Sequence, residues 1–315
     1  MKQARTVALL TPSYHKDLER FALLCDSVDR HVKGHERHYV IVADDEIPLF
    51  SRFNSEKRIV LPSSKFLPKW LKLIPPFLLR RGRRLWWSFR SGPVHGWHIQ
   101  QLLKISAVSA LPEERFCVID SDNVFFRPFD AGAYAGGELA PLYVERGAIE
   151  ADAPMHAAWT RSCDRLLRQA ETTFPADDYI GHVIVWDKRS IQELTQTISA
   201  AAKRNWKEAL CKTRALSEYL LYGHFVRNSP ALLQAHEIVT EGLALAYWDA
   251  APLDAAAVAS MVEQAPTSKV ALSVASFSNT PISAIRRAVG LSQAEVKDAV
   301  PTELAALPAI ARAFV

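Results

Sequence analysis

Two aspartates one residue apart, Asp120 and Asp122, follow the apolar run RFCVI and precede a second apolar stretch, NVFF. A short apolar run rich in branched side chains predicts a buried strand. The two carboxylates then stand where that strand ends, the side on which open α/β sheets bind ligands. Carboxylate oxygens suit hard divalent ions such as Mg²⁺ and Mn²⁺, which share their coordination between a carboxylate or two and a substrate's phosphates. Such an ion neutralises a departing diphosphate as a Lewis acid. Aspartates also make Asx turns at strand ends, so the pair gains its weight from the apolar runs on both sides.

Other residues could join this chemistry. Gln101 and Lys104 lie three apart in GWHIQQLLKISAVSALPEE, a segment that reads as a helix stopped by Pro112. They share a face that can look into a cleft, and a lysine ammonium is a compact charge for phosphate or sugar hydroxyls. Asp44 and Asp45 end the apolar run HYVIVA and could reach a base or ribose. Glu218, in SEYLLYG, is a candidate general base for an acceptor hydroxyl, with Asp177 and Asp178 as rival carboxylates. Its position after Ser217 equally fits a helix start, where acidic residues are favoured.

The elements that must carry these groups read as α/β. TVALL is a strand closed by Pro12, KDLERFALLCDSVDRHV is a helix with apolar residues at helical spacing, and the stretch from His38 to Glu46 is a second strand. Strand, helix, strand opens a parallel sheet. YIGHVIVWDK predicts a further strand, IQELTQTISAAAKRNWKEAL and SEYLLYGHF predict helices, and Ala250 to Met261 predicts an amphipathic surface helix.

A chain of 315 residues with 49% hydrophobic and 23% charged residues suits a globular protein, and no apolar run approaches the ~20 residues of a spanning helix. The opening MKQARTVALLTPSY is too brief and wrongly flanked for a signal peptide. Four cysteines stand far apart with no Cys-x-x-Cys pair, which argues against a zinc site or a disulfide framework and fits a reducing, cytoplasmic compartment. The net charge of +4 is local. Eight basic residues and no acidic one lie between Lys65 and Arg90, and without those eight the remaining 30 basic residues face 34 acidic ones. Interleaved with aromatics and leucines, this segment has the composition of an element that docks on anionic lipid, or of an insertion packed on its own domain. Nucleic acid is disfavoured, because no recognition motif accompanies the charge.

The run WHIQQLLKISAVSALPEERFCVIDSDNVFFRP resembles the central region of GT-A glycosyltransferases, in which a lysine-bearing helix leads into an Asp-x-Asp strand. It is most similar to a bacterial group of formerly unassigned function with Thr-Pro-Ser-Tyr and Asp-Ser-Asp-Asn motifs, here Thr11 to Tyr14 and Asp120 to Asn123. The likeness is specific over roughly the first 130 residues and again at SEYLLYG. It implies a Rossmann-like α/β fold with a mixed, mainly parallel sheet flanked by helices. It also implies donor contacts from Thr11, Pro12, Ser13 and Tyr14 to the nucleoside and from Asp120 and Ser121 to the ribose, with Asp122, aided by Asp120, on Mn²⁺ or Mg²⁺.

The donor would be a nucleotide-sugar of the UDP-sugar kind, and the acceptor a glycan or lipid-linked molecule of an envelope polysaccharide. Residues 1–135 would bind the donor, with 65–95 as a basic aromatic insertion; 136–290 would bind the acceptor and carry catalysis; 291–315 would form a helical tail. The enzyme would work in the cytoplasm or peripherally on the inner face of the membrane. A departure from the resemblance is the missing C-terminal histidine ligand: VASFSNTPIS offers Ser276, Ser278 and Asn279 instead. The alternative is a catalytically inactive GT-A domain that binds a nucleotide or glycan as a membrane scaffold.

Overall fold

A computed structural model describes residues 6–75 and 84–291. Its centre is a five-stranded sheet built from β1 (Val7–Pro12), β2 (His38–Val42), β3 (Arg58–Pro62), β4 (Arg115–Ile119) and an edge strand at Val183–Asp187. The spatial order is edge strand, β4, β1, β2, β3. All neighbours pair in parallel except the edge strand, which runs antiparallel to β4 with Val183 opposite Ile119. The mixed, mainly parallel α/β architecture is thus observed.

Alternation along these strands sorts the core. Val7, Leu9, Val40, Cys117 and Ile119 pack with Phe21, Leu24 and Val28 of helix α1 (Leu18–His31). Ala8, Leu10, Ile41, Phe116 and Val118 pack on the other face with helix α2 (Gly96–Ala110). A strand covered on both faces must be apolar throughout, and every residue of β1 is buried. The second face is completed by helices α3 (Pro154–Leu167), α4 (Lys188–Ala202) and α5 (Glu218–Arg227). Because the edge strand comes from beyond residue 135, the division expected there falls inside one sheet.

Three expectations change. The second strand stops at Val42, and Asp44–Glu46 turns as a 3₁₀ helix. The single helix read from Ile191 to Leu210 is two, α4 and Trp206–Lys212, because Lys203 takes a left-handed conformation at φ 52°. The amphipathic helix begins later, at Ala255–Glu263, capped by the Asp254 carboxylate. The expected helical tail falls almost wholly outside the described residues, as do Arg80, Arg81 and Arg83 of the basic segment. The described part of that segment forms a small antiparallel ribbon of Lys72–Leu73, Leu85–Trp87 and Val94–His95. Among the described residues no helix is long and apolar enough to cross a membrane.

Candidate functional site

The loops that follow β1, β2 and β4 open into one cavity of about 1190 Å³, lined among others by Pro12, Ser13, Tyr14, Asp17, Glu46, Asp120, Ser121 and Asp122. A parallel sheet explains the convergence, since all its parallel strands end on the same side. From the flanking helices Gln101 and Lys104 of α2 and Glu218 and Tyr219 of α5 reach the same space.

At its centre the Lys104 ammonium, 4% exposed, lies 2.6 Å from Asp120 Oδ1 and 2.7 Å from Glu218 Oε1. It also donates to the Tyr219 hydroxyl at 3.1 Å, which in turn donates to Asp120 Oδ2 at 3.4 Å. Burial alone would lower the lysine pKa, but the Asp120 and Glu218 carboxylates outweigh it and hold the value well above that of ordinary lysine. The ammonium therefore stays charged. Burial raises Glu218 above the ordinary carboxylate range, Lys104 draws it back and Asp120 adds to the rise. One cation thus serves two carboxylates, one buried and one, Asp120, 36% exposed to the cavity.

The helix-start reading of Glu218 also holds. Glu218 opens α5, and the Ser217 side chain accepts from the Leu220 amide. The helix start is what aims the carboxylate inward: the cap fixes the first turn, and its side chain meets α2.

A second acidic group gathers beside the first. Ser121 Oγ donates to Asp17 Oδ2 at 3.1 Å, and Asn123 Nδ2 donates to Asp122 Oδ1 at 3.3 Å. Burial, then the charges of Asp120 and Asp17, push the Asp122 carboxyl up to about 7, with Arg20 acting the other way. The crowding leaves Asp122 in a field of negative charge at the cavity. Among the described residues no three His, Cys, Asp or Glu side chains are grouped to hold a metal ion by themselves. Asp120 and Asp122 offer the one or two carboxylates that a hard ion such as Mg²⁺ commonly takes, the rest of its sphere coming from phosphate and water.

Other sequence candidates divide. Pro12, Ser13, Tyr14, Gln101, Ser121 and Asp178 line the cavity. Gln101 is buried with neither amide atom hydrogen-bonded, and Ser13 Oγ is likewise unpaired. Thr11 is a correction: fully buried, its hydroxyl is within 3.0 Å of His38 Nε2, behind the cavity wall. Asp44 and Asp45 are corrections too. Asp44 accepts from the Ser64 amide at 3.0 Å and so secures the turn after β3, while Asp45 pairs with Arg84 at 2.7 Å. The turn at Asp44–Glu46 rotates both away, and Glu46 faces the cavity with His15 Nδ1 at 2.5 Å. Asp177 lies away from the cavity, where it accepts from the Gly147 amide and fastens the antiparallel pair Glu145–Ile149 and Ala176–Asp178. Of the C-terminal candidates Ser276 lines the cavity, whereas Ser278 is buried against Thr280.

Sequence reasoning missed His182, Asp17, Glu46, Tyr219, His156 and a set of cavity-lining tryptophans. Tyr219 was adjacent to a named candidate and Asp17 lay three residues past the Thr-Pro-Ser-Tyr motif. His156 sits in a helix that carried no chemical motif.

A family model described as "Family of unknown function (DUF6492)" matches residues 6–290, and the chain belongs to that family. No curated protein matches it.

Proposed function

We propose that the protein is a metal-dependent glycosyltransferase that moves a sugar from a nucleotide-sugar, of the UDP-sugar class, to a glycan or lipid-linked acceptor. The observation that carries this reading is the surplus of acid, Asp17, Asp120 and Asp122, at the strand ends of one large cavity. Those carboxylates would repel a diphosphate unless a divalent cation lay between them. At about 1190 Å³ the cavity exceeds the usual span of a single small-ligand pocket, roughly 300–1,000 Å³, and suits two substrates.

Bound Mg²⁺ or Mn²⁺, held by Asp122 with Asp120, would supply Lewis-acid neutralisation of the leaving diphosphate. The chain's own groups do the rest. Ser13 and Tyr14 line the wall nearest β1 and contact the nucleoside, and the unpaired Gln101 amide offers both a donor and an acceptor to the donor sugar. Lys104 orients Asp120 and Glu218 by pairing with both. Glu218 accepts the proton of the attacking hydroxyl, and Asp178 is the rival for that role.

Calorimetric titration of UDP with Mn²⁺ into wild type, Asp122→Asn and Asp45→Ala tests the donor site. Asp122→Asn should lose the metal-dependent part of the affinity and Asp45→Ala should keep it; equal affinity and metal dependence in wild type and Asp122→Asn would sink the assignment. UDP-sugar hydrolysis in Mn²⁺ separates an enzyme from an inactive nucleotide-binding scaffold.

Peripheral attachment to an anionic membrane is part of the proposal. Its support is the tip of the basic ribbon, where Phe89 is 94% exposed and packs edge-on against Trp87 at 4.3 Å between centroids. Arg84 and Trp86 of the same ribbon line the cavity, so a docked ribbon would bring the cavity to a lipid-linked acceptor. Each basic residue near such a surface contributes about 1 kcal/mol, screened by salt. Flotation with anionic vesicles at low salt, lost at high salt, is the expected result; no flotation at low salt removes the attachment.

A further inference from the structure

One part of the cavity wall lies apart from the residues assigned above to the donor. Trp97, in the first turn of α2, is 54% exposed, and its ring lies 5.6 Å from that of Trp159 with 33° between the planes. Met155, His156 and Trp159 project from α3 to the same place, the His156 ring standing edge-on to Trp159 at 4.9 Å. All four line the cavity. Trp159 is only 8% exposed and braces the Trp97 indole from within, so the apolar shelf offered to the cavity is chiefly the half-exposed Trp97 ring.

Polar groups border this shelf. Asp178 Oδ1 accepts from the amides of Tyr179 at 2.7 Å and Ile180 at 2.9 Å, which fixes the carboxylate. Its Oδ2 stands 3.9 Å from His156 Nε2, too far for a direct hydrogen bond. A hydroxyl oxygen placed about 2.8 Å from each atom closes that gap, donating to the carboxylate and engaging the imidazole. Gln100 lines the cavity as well.

We infer that Trp97, Trp159, His156 and Asp178 form a saccharide subsite in which a pyranose ring lies on the indole shelf and one of its hydroxyls bridges Asp178 and His156. A pyranose has what this wall asks for, an apolar C–H face over an aromatic surface and hydroxyls at the rim. A nucleobase offers a planar face to the shelf but no rim of hydroxyls. A fatty chain would leave the fixed carboxylate without a partner. On the glycosyltransferase reading, on which this name rests, it is the acceptor subsite, and Asp178 positions the acceptor sugar.

Saturation-transfer NMR on the full chain tests this, with methyl glucopyranoside, galactopyranoside and mannopyranoside as probes, and uridine and adenosine as competitors. At least one pyranoside should take up saturation in wild type. Its affinity should fall roughly two- to tenfold in Trp97→Ala, the span an aromatic contact supplies, fall also in Asp178→Asn, and persist in Trp248→Ala on another part of the wall. Should Trp97→Ala fail to fold, Trp97→Leu keeps the apolar volume and removes the ring face. The inference is overturned if no pyranoside takes up saturation, if the folded Trp97 variant binds as wild type does, or if only a nucleoside depends on Trp97. The UDP titration reads the other substrate: pyranoside binding without any UDP affinity keeps the subsite and defeats the transferase reading, and the reverse result defeats the subsite alone.

Discussion

Buried cations stand at both ends of the central sheet, and they are used in opposite ways. At the amino end, Arg115 opens β4 and donates to the carbonyls of Tyr134, Gly137 and Glu138. Arg58 opens β3 there, donating to the Cys25 carbonyl at 3.3 Å, to Asp29 Oδ1 at 2.5 Å and through Nε to His38 Nδ1 at 3.1 Å. These guanidiniums tie loops and a helix to the sheet, and none of them lines the large cavity. At the carboxyl end Lys104 meets two carboxylates and a phenol, and every member of that group lines the cavity. The difference teaches how to read a buried charge. Partners drawn from loops and a neighbouring helix, away from any cavity, mark a structural tie, whereas carboxylates that line a cavity keep oxygens within reach of a ligand.

Breaking the carboxyl end should cost chemistry far more than stability. Glu218→Gln keeps the size of the side chain and its hydrogen bond with Lys104 but cannot take a proton. Donor hydrolysis or transfer should fall by roughly 10² to 10⁴, with UDP affinity and melting temperature nearly unchanged. Wild-type rates in Glu218→Gln, beside lost rates in a folded Asp178→Asn, would transfer the role to Asp178.

The amino end should respond in the reverse manner. Arg115→Leu removes charged hydrogen bonds to backbone carbonyls and should lower unfolding free energy by about 1.5–3 kcal/mol in urea, with UDP titrating as before. A large loss of UDP affinity with unchanged stability would erase the contrast between the two ends.

A further effect is electrostatic, spread over a range of pH, and also belongs to the amino end. Burial, with Lys57 and Arg58 nearby, pushes His35 down to about 4 from the ordinary 6.5. A histidine whose folded pKa is depressed stays neutral in the fold while the unfolded chain takes up a proton. Its stability is complete above pH 6.5 and is lost as pH falls toward 4, by up to about 1.4 kcal/mol per pH unit. Urea unfolding of wild type and His35→Gln across that range should show the steeper fall in wild type; parallel curves would show that His35 contributes none of it.

Much of this molecule was legible in the chain, because period and punctuation are local properties. The apolar runs VALL and RFCVI read as buried strands, as they are, and the helix from Gly96 followed from its apolar spacing and its stop at Pro112. The Asp120–Asp122 pair could be placed at a strand end for the same reason. Asp44 and Asp45 were misjudged because a strand end looks alike whether the chain continues straight or turns at once, and the turn at Asp44–Glu46 exchanged their places with Glu46.

What spacing could not supply is which distant residues meet. Lys104 and Glu218 lie 114 positions apart, and nothing in either segment says that an ammonium on one helix closes on the first turn of another. The same holds for Trp97 and Trp159, 62 positions apart, which share a wall only because the fold brings the first turn of α2 beside a side chain of α3. The sequence by itself determined the elements, their apolar faces and the strand end that bears the carboxylates. The tertiary structure alone decided the company those carboxylates keep, because burial and Coulomb energy depend on separation in space, and a folded chain brings together groups that no local pattern relates.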